Sequence, residues 1–473
     1  MSEKIWQSFA SVIERNVWTQ QLAGILPLSA LIDFLEVPKI LHTFELTGAI
    51  PLWCWPVTPA GSRFLLAERD AGESCCLDRY GSSMSLTCLD GRYGDVYPMT
   101  SPETIRLCLQ TLKNTTIPNE HPNMSRDDVR LQTLEVIRVH RYPRRSWRRG
   151  RQYVVASTVG WIALLAFIAL AALTRNWLAV TFLVAVPLTG TVINLLHGTG
   201  PRRLGAKANT GSRYNRLVVV AQHMNESRWQ VYFGESTIVN SLLNLPLRPK
   251  SSDTRHGRPL MILALRGLLL AQWATAIGAA AIQDWNAYFI TIWIVLCILC
   301  HTFVFSAERS AGSWLRHFAE IEMEKYTTQL SSRRALLNTV MALNPDTFAL
   351  DAMEREKLDQ LDPGSLLWID PILKSGPDRS RWEEASRQAM IESKLGETAE
   401  QIADKQLEDG HRAHWMATYQ DRYWCRYIPE GIAMAAKITQ QARLTGRFVN
   451  ETYDITSDNK SAHVSEYVKA VSG

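Results

Sequence analysis

Residues 153–173 read YVVASTVGWIALLAFIALAAL, residues 174–176 read TRN, and residues 177–196 read WLAVTFLVAVPLTGTVINLL. About 20 residues at 1.5 Å rise reach across a hydrocarbon layer of roughly 30 Å, so each run is long enough to cross it as a helix. A helix satisfies its own backbone groups, which a lone strand in lipid cannot do. The pattern recurs at Leu260–Ile282 and Ala287–Phe305, separated by Gln283-Asp284-Trp285-Asn286, and Arg266 alone brings a full charge into either run. Such short connections force antiparallel neighbours. The expected fold is therefore an α-helical integral membrane protein with four transmembrane helices in two hairpins, plus cytosolic α+β and α-helical parts. Averages over the 473 residues (46% apolar, 21% charged, net charge +5) conceal this, because the apolar residues are concentrated in the four runs.

Orientation follows from Lys and Arg beside the runs. Arg141, Arg144, Arg145, Arg148, Arg149 and Arg151 precede the first, and ten Lys/Arg against three acids lie between the second and third. Arg309 and Arg316 follow the fourth. The two hairpin tips are expected toward the lumen or exterior, and both termini and everything else in the cytosol. Trp177, Trp285 and Tyr288 occupy interfacial positions. Met1-Ser2-Glu3-Lys4 opens no signal-peptide pattern. Cysteines on a reducing side are expected as free thiols, and the sequons at Asn114, Asn123, Asn225, Asn450 and Asn459 as unmodified.

Between these runs the chain divides as follows. Residues 1–59 form an N-terminal segment in which Gln21–Leu41, apolar but interrupted by Asp33, Glu36, Lys39 and prolines, reads as an interfacial or re-entrant helix in preference to a full span, and Ala49–Val57 as a short apolar stretch. Residues 60–152 read as an α+β unit with strands at Arg63–Glu68, Met84–Cys88 and Val129–His140 and a helix opened by Ser101-Pro102, followed by the arginine run. The loop 197–259 predicts strands at Leu217–Ala221 and Trp229–Phe233 and a helix at Glu235–Leu245. The hairpins occupy 153–196 and 260–305. Residues 306–450 predict a helical domain, with helices near Trp382 and over Pro429–Leu444. Residues 451–473 lack periodicity and read as a disordered tail.

Polar residues within the apolar runs are costly there and face a partner, a cavity or water. By helical rise, Asn194 and His197 at the end of the second run, Arg266 in the third and His301 in the fourth come to a similar depth. They are the candidate residues: His197, Arg266 and His301 for catalysis, Asn194 and Arg266 for binding, lining one polar pocket open to the cytosolic leaflet. The competing reading has Arg266 reaching out to headgroups and the histidines making structural hydrogen bonds. Cys297-x-x-Cys300-His301 matches a covalent haem pattern, but inside an apolar helix it reads as packing. His411-x-x-His414 has no third ligand, and Gly200–Ala208 departs from a phosphate loop because Ala206 precedes Lys207. No cofactor, metal or nucleic acid is expected.

At Phe233-Gly-Glu-Ser-Thr-Ile-Val-Asn-Ser-Leu-Leu-Asn, at Gln283-Asp-Trp-Asn-Ala-Tyr-Phe-Ile-Thr-Ile-Trp-Ile-Val, and at Asn344-Pro-Asp and Trp368-Ile-Asp-Pro, the chain resembles uncharacterised multi-pass membrane proteins of filamentous fungi. Some of these look to be encoded beside secondary-metabolite genes. The resemblance implies an accessory or cryptic enzymatic role in a biosynthetic pathway and carries no catalytic motif. Two functions are expected from the whole reading. One is a membrane anchor or accessory protein that organises pathway enzymes or binds a lipophilic small molecule. The other is an intramembrane cyclase or isomerase using His197, Arg266 and His301.

Overall fold

Strands from three separate stretches of the chain meet in one sheet, in a computed structural model describing residues 17–31, 36–57, 59–66, 74–80, 85–120, 130–142, 151–198, 200–204, 214–247, 258–348, 363–394 and 427–445. The first stretch holds helices α1 (Val17–Leu31), α2 (Val37–Thr47), α3 (Pro59–Leu66), α4 (Cys76–Tyr80) and α5 (Pro102–Gln110). It also holds strands β1 (Thr87–Asp90), β2 (Val96–Pro98), β3 (Asn114–Thr116) and β4 (Gln132–Arg141). The first hairpin is α6 (Arg151–Leu173) and α7 (Trp177–His197), followed by β5 (Asn215–Ala221), β6 (Arg228–Glu235) and α8 (Ser236–Leu243). The second hairpin is α9 (Arg258–Ile282) and α10 (Trp285–Leu299), and a π-helical turn at Cys300–Val304 continues α10. Then come α11 (Ala307–His317), β7 (Ile321–Leu330), α12 (Arg333–Leu343), a 3₁₀ turn at Pro363–Ile369, α13 (Pro377–Lys394) and α14 (Ile428–Gln441).

Four helices are long and apolar enough to cross a membrane: Tyr153–Leu173, Trp177–His197, Arg258–Ile282 and Trp285–Val304. Their outward faces expose Val155, Ile162 and Leu165 on α6 and Leu263, Leu270 and Ile277 on α9, an apolar belt of the kind lipid covers. The two hairpins close alike. Arg175 and Gln283 both take a left-handed φ, 59° and 58°, and each is followed by a polar N-cap position (Asn176, Asp284) and then a tryptophan. Asn286 ties the tips together, its Oδ1 accepting from the Ala179 amide at 3.0 Å and its Nδ2 donating to Asp284 at 2.7 Å.

The sheet has seven strands in the order β2-β1-β5-β6-β4-β7-β3. β4 lies parallel to β6 and antiparallel to β7, so the stretches before, between and after the hairpins share one hydrogen-bonded core. Even-numbered β4 residues, Leu134 and Val136, face α12, α13 and α14. Odd-numbered Ile137 and Val139 face α8 and α11. Both faces are covered, which explains the near-continuous apolar run Leu217–Ala221 in β5.

The three polar stretches thus form one layered unit, in place of the separate α+β, loop and helical units expected. Within the stretch expected to be helical, Ile321–Leu330 is one of the two longest strands. Its Glu, Met and Lys favour helix in isolation, but pairing with β4 places Lys325 2.9 Å from Glu135, Glu324 3.3 Å from Arg138 and Glu322 3.3 Å from His140. Cross-strand charge complementarity of this kind overrides local propensity. Where a strand was expected at Arg63–Glu68, Arg63–Leu66 instead belong to α3, which opens with Pro59 at its first position, where the missing N–H costs nothing, and residues 67 and 68 lie outside the described residues. His411, His414 and the tail 451–473 lie outside the described residues.

Candidate functional site

The stretch Gly48-Ala49-Ile50-Pro51-Leu52-Trp53-Cys54-Trp55-Pro56-Val57 is apolar but carries two prolines, so it cannot continue a helix. Gly48 ends α2 in a left-handed conformation (φ 65°) and packs so closely on Gly200 that a Cβ would lie 3.0 Å from its carbonyl carbon. The chain then enters the helical bundle as irregular backbone and touches all four long helices. Trp53 lies over Gly160 of α6, where a Cβ would come within 2.0 Å of the ring. At Gly190 of α7, a Cβ would come within 2.2 Å of the Leu52 carbonyl oxygen and 2.7 Å of Trp55. From α9, Gln272 Oε1 accepts from the Val57 amide at 3.1 Å, and Trp273 Nε1 donates to the Val57 carbonyl at 3.2 Å. Gln272 Nε2 also donates to Thr189 Oγ1 of α7 at 2.7 Å. By helical rise, Gln272 stands about 15 Å along α9 from Ile282, close to mid-length. Irregular backbone at that depth survives where protein groups satisfy it, which Gln272, Trp273 and His301 do here.

His301 reaches this segment through the π-turn. Its Nε2 lies 2.8 Å from the Cys54 carbonyl, and Cys54 Sγ donates to the Cys297 carbonyl at 3.7 Å. Turns of this type concentrate at functional positions because the extra residue re-aims side chains. The same turn aims Phe303 and Phe305 into a cleft of about 460 Å³ at the sheet-side end of the bundle. Ile50, Tyr153 and Phe318 share its apolar wall, and Thr47 together with Arg309, Ser310 and Ser313 of α11 supplies its polar groups. Phe305 stacks edge-on with Tyr153 (5.6 Å between ring centroids) and with Trp53 (6.4 Å), joining the wall to the inserted segment.

On the sheet side of the segment lies a buried polar cluster. Glu45 of α2 has no side-chain exposure, and its carboxylate is 3.1 Å from Arg79, 3.5 Å from His197 Nδ1 and 2.9 Å from the Cys76 amide. His42, one turn earlier, accepts from the Leu77 amide at Nδ1 (3.1 Å). That contact leaves the ring proton on Nε2, which faces Thr104 Oγ1 at 3.1 Å, and Thr104 donates to Asp78 Oδ2 at 2.7 Å. Asp78 Oδ1 accepts from the Glu103 and Thr104 amides at 2.9 and 3.3 Å. Asp78 therefore caps α5 from outside the helix, in the role the sequence reading gave to Ser101, whose side chain makes no cap bond.

His42, Cys75 and Asp78 bring potential metal-ligand atoms within 4.8 Å of one another. Their hydrogen bonding argues for a structural role. Binding at His42 Nε2 would put the proton on Nδ1, against the Leu77 N–H; Asp78 is engaged by α5; and burial pushes the Cys75 thiol up, away from the thiolate a metal requires.

Burial lowers His42 to about 4 and raises Asp78 to about 6. The linked effects on stability oppose each other. Below pH 6.5 the unfolded histidine binds a proton that the folded one refuses, so His42 destabilises the fold progressively down to pH 4, by about 3 kcal/mol. Below pH 6 the folded aspartate binds a proton that the unfolded one does not, so Asp78 stabilises down to its unfolded value, by about 2 kcal/mol after allowance for its partial exposure. Asp78→Asn is therefore expected to lose about 2 kcal/mol more, relative to the wild type, at pH 4 than at pH 7. Tryptophan-fluorescence unfolding in detergent at both pH values checks this, and a pH-independent difference would contradict it.

The structure separates the four sequence candidates. His197 is buried against Glu45, and His301 holds the Cys54 carbonyl. Arg266 is exposed on the outer face of α9, and Asn194 is half-buried with its carbonyl accepting from the Gly198 amide at 2.8 Å. The two histidines instead fasten opposite ends of one stretch, Glu45 and Cys54. The sequence reading missed Gln272 and the inserted segment. Their signal was a ten-residue apolar stretch with two tryptophans and two prolines, too short to span, beside a lone glutamine in an apolar helix. No family model, no curated protein and no solved structure matches the chain.

Proposed function

We propose that the protein is a membrane-anchored accessory protein that binds a lipophilic small molecule at the cleft beside Tyr153, Phe305 and Arg309. The four long helices cross the bilayer, the arginine-rich flanks hold the sheet unit in the cytosol, and the hairpin tips face the lumen or exterior. The observation that carries the reading is the cleft itself. An apolar wall that includes Tyr153, Phe303 and Phe305 adjoins the polar groups of Arg309, Ser310, Ser313 and Thr47, and with the four helices spanning, this junction would fall where a bilayer's hydrocarbon meets its headgroups. That polarity suits an apolar body with an acidic or hydroxylated end. The resemblance to fungal membrane proteins supports a biosynthetic intermediate as the occupant and pathway enzymes as partners of the sheet unit. The alternative, a cyclase or isomerase built on His197, Arg266 and His301, would need those three on one cavity, and the separate partners of the two histidines and the outward exposure of Arg266 weigh against it.

A fluorescent polyene fatty acid serves as the probe, with energy transfer from the protein's tryptophans as the readout. Saturable binding by the detergent-solubilised protein, weakened at least tenfold by Ser313→Trp, is expected. Equal binding by both proteins, or none by either, would refute the cleft as a ligand site.

A further inference from the structure

Helix α1 lies along the second hairpin, and its contacts begin at the hairpin tip. Tyr288, in the first turn of α10, donates its hydroxyl to the Thr19 carbonyl at 2.8 Å. Gly24 approaches the tip residue Gln283 so closely that a Cβ would lie 2.8 Å from its Nε2 and 3.5 Å from the Ala280 carbonyl. Ala23 is fully buried in one cluster with Ala279, Ala287 and Ile290. By Val37 and Leu41 the chain is packed instead on Ile193, Leu265 and Leu269. Leu269 and Leu265 stand about 20 and 25 Å along α9 from Ile282. Gly48 then rests against Gly200, beyond the sheet-side end of α7. Between Gly24 and Val37 the chain has travelled most of the depth of the bundle.

The chemistry of α1 matches that path. No charged residue occurs from Val17 to Leu31, and the face turned away from the bundle exposes Val17, Trp18, Leu22, Ile25 and Leu28. Polar Thr19, Gln20 and Gln21 sit at the tip end, while Glu36 and Lys39 form an exposed ion pair at the other. A helix lying flat at the tip would leave Val37 there too, contrary to its packing. Residues 1–16 carry two basic and two acidic residues, so charge bias does not oppose placement away from the cytosol. We infer that the chain from α1 to the start of α2 makes a fifth transmembrane crossing, α1 (15 residues, about 22 Å) covering most of it, and that the chain ahead of Val17 lies on the hairpin-tip side, opposite the sheet unit. This revises the expectation that both termini share the cytosol.

The inference rests on the membrane reading above, and one experiment separates the two. The full chain is translated into microsomes with an Asn-Ser-Thr acceptor either on an extension ahead of Met1 or in a lengthened Thr174–Asn176 tip. The expected result is glycosylation of both acceptors, with the native sequons at Asn114 and Asn225 of the sheet unit unmodified. Glycosylation of the tip acceptor but not of the N-terminal one would overturn the fifth crossing and leave the four-helix reading intact. An unmodified tip acceptor would overturn both.

Discussion

Gly190→Ala is expected to destabilise the protein by about 3 kcal/mol and to expose Cys54 to a membrane-permeant maleimide. The sign runs against local propensity, since alanine within a helix is ordinarily favoured over glycine by about 1 kcal/mol. At this position a Cβ would stand 2.2 Å from a backbone oxygen, that of Leu52, which has little room to withdraw. Trp53 is seated on Gly160 on one side, and Val57 is tied to Gln272 and Trp273 on the other. Overpacking alone costs about 1–3 kcal/mol. Here relief requires the inserted segment to shift, putting at risk the hydrogen bonds that satisfy its backbone at mid-bundle depth. Gly267 of α9 is the control: nothing lies within 4 Å of its Cβ position, so Gly267→Ala should be neutral or stabilising. Thermal unfolding in detergent compares them. Equal behaviour of the two variants would show that the segment is not wedged between α6 and α7.

Glu45→Gln is expected to cost about 3–5 kcal/mol, the largest effect of any isosteric change considered, because it removes the carboxylate from a buried cation. The Arg79 side chain is 14% exposed and His197 6%, so water can replace little of the lost charge. Shape and the acceptor for the Cys76 amide are preserved, so the loss reports electrostatics rather than a cavity. Adding Arg79→Gln should recover part of it, giving a coupling of about 2 kcal/mol in the double-mutant cycle. Additive costs would show that Glu45 acts through its backbone neighbours instead. The cluster joins α2, α4 and the end of α7, and its loss should loosen the sheet unit from the bundle.

The four long helices were legible because their signal is local and redundant: some twenty apolar residues in a row need no partner to declare a helix. The same holds for β5, β6 and α8, whose boundaries fall within two residues of those expected. Strand β7 was not legible, because Ile321–Leu330 pairs with residues almost two hundred positions earlier and its charges make sense only opposite those of β4. Nor was the convergence of Asn194, His197, Arg266 and His301 upheld. Depth along a helix can be counted from sequence, but the side it faces cannot, and Arg266 faces outward.

By itself, then, the sequence determined the four long apolar helices, their pairing into two hairpins by three- and four-residue connections, and the basic residues that flank them. Each of those properties is a sum over neighbouring residues. The tertiary structure alone decided that three distant stretches share a sheet, that Gly48–Val57 threads the bundle, and that Phe303, Phe305 and Arg309 border one cleft. Those outcomes depend on steric vacancies at Gly160 and Gly190 and on single hydrogen bonds from Gln272 and His301, which exist only once the helices stand side by side.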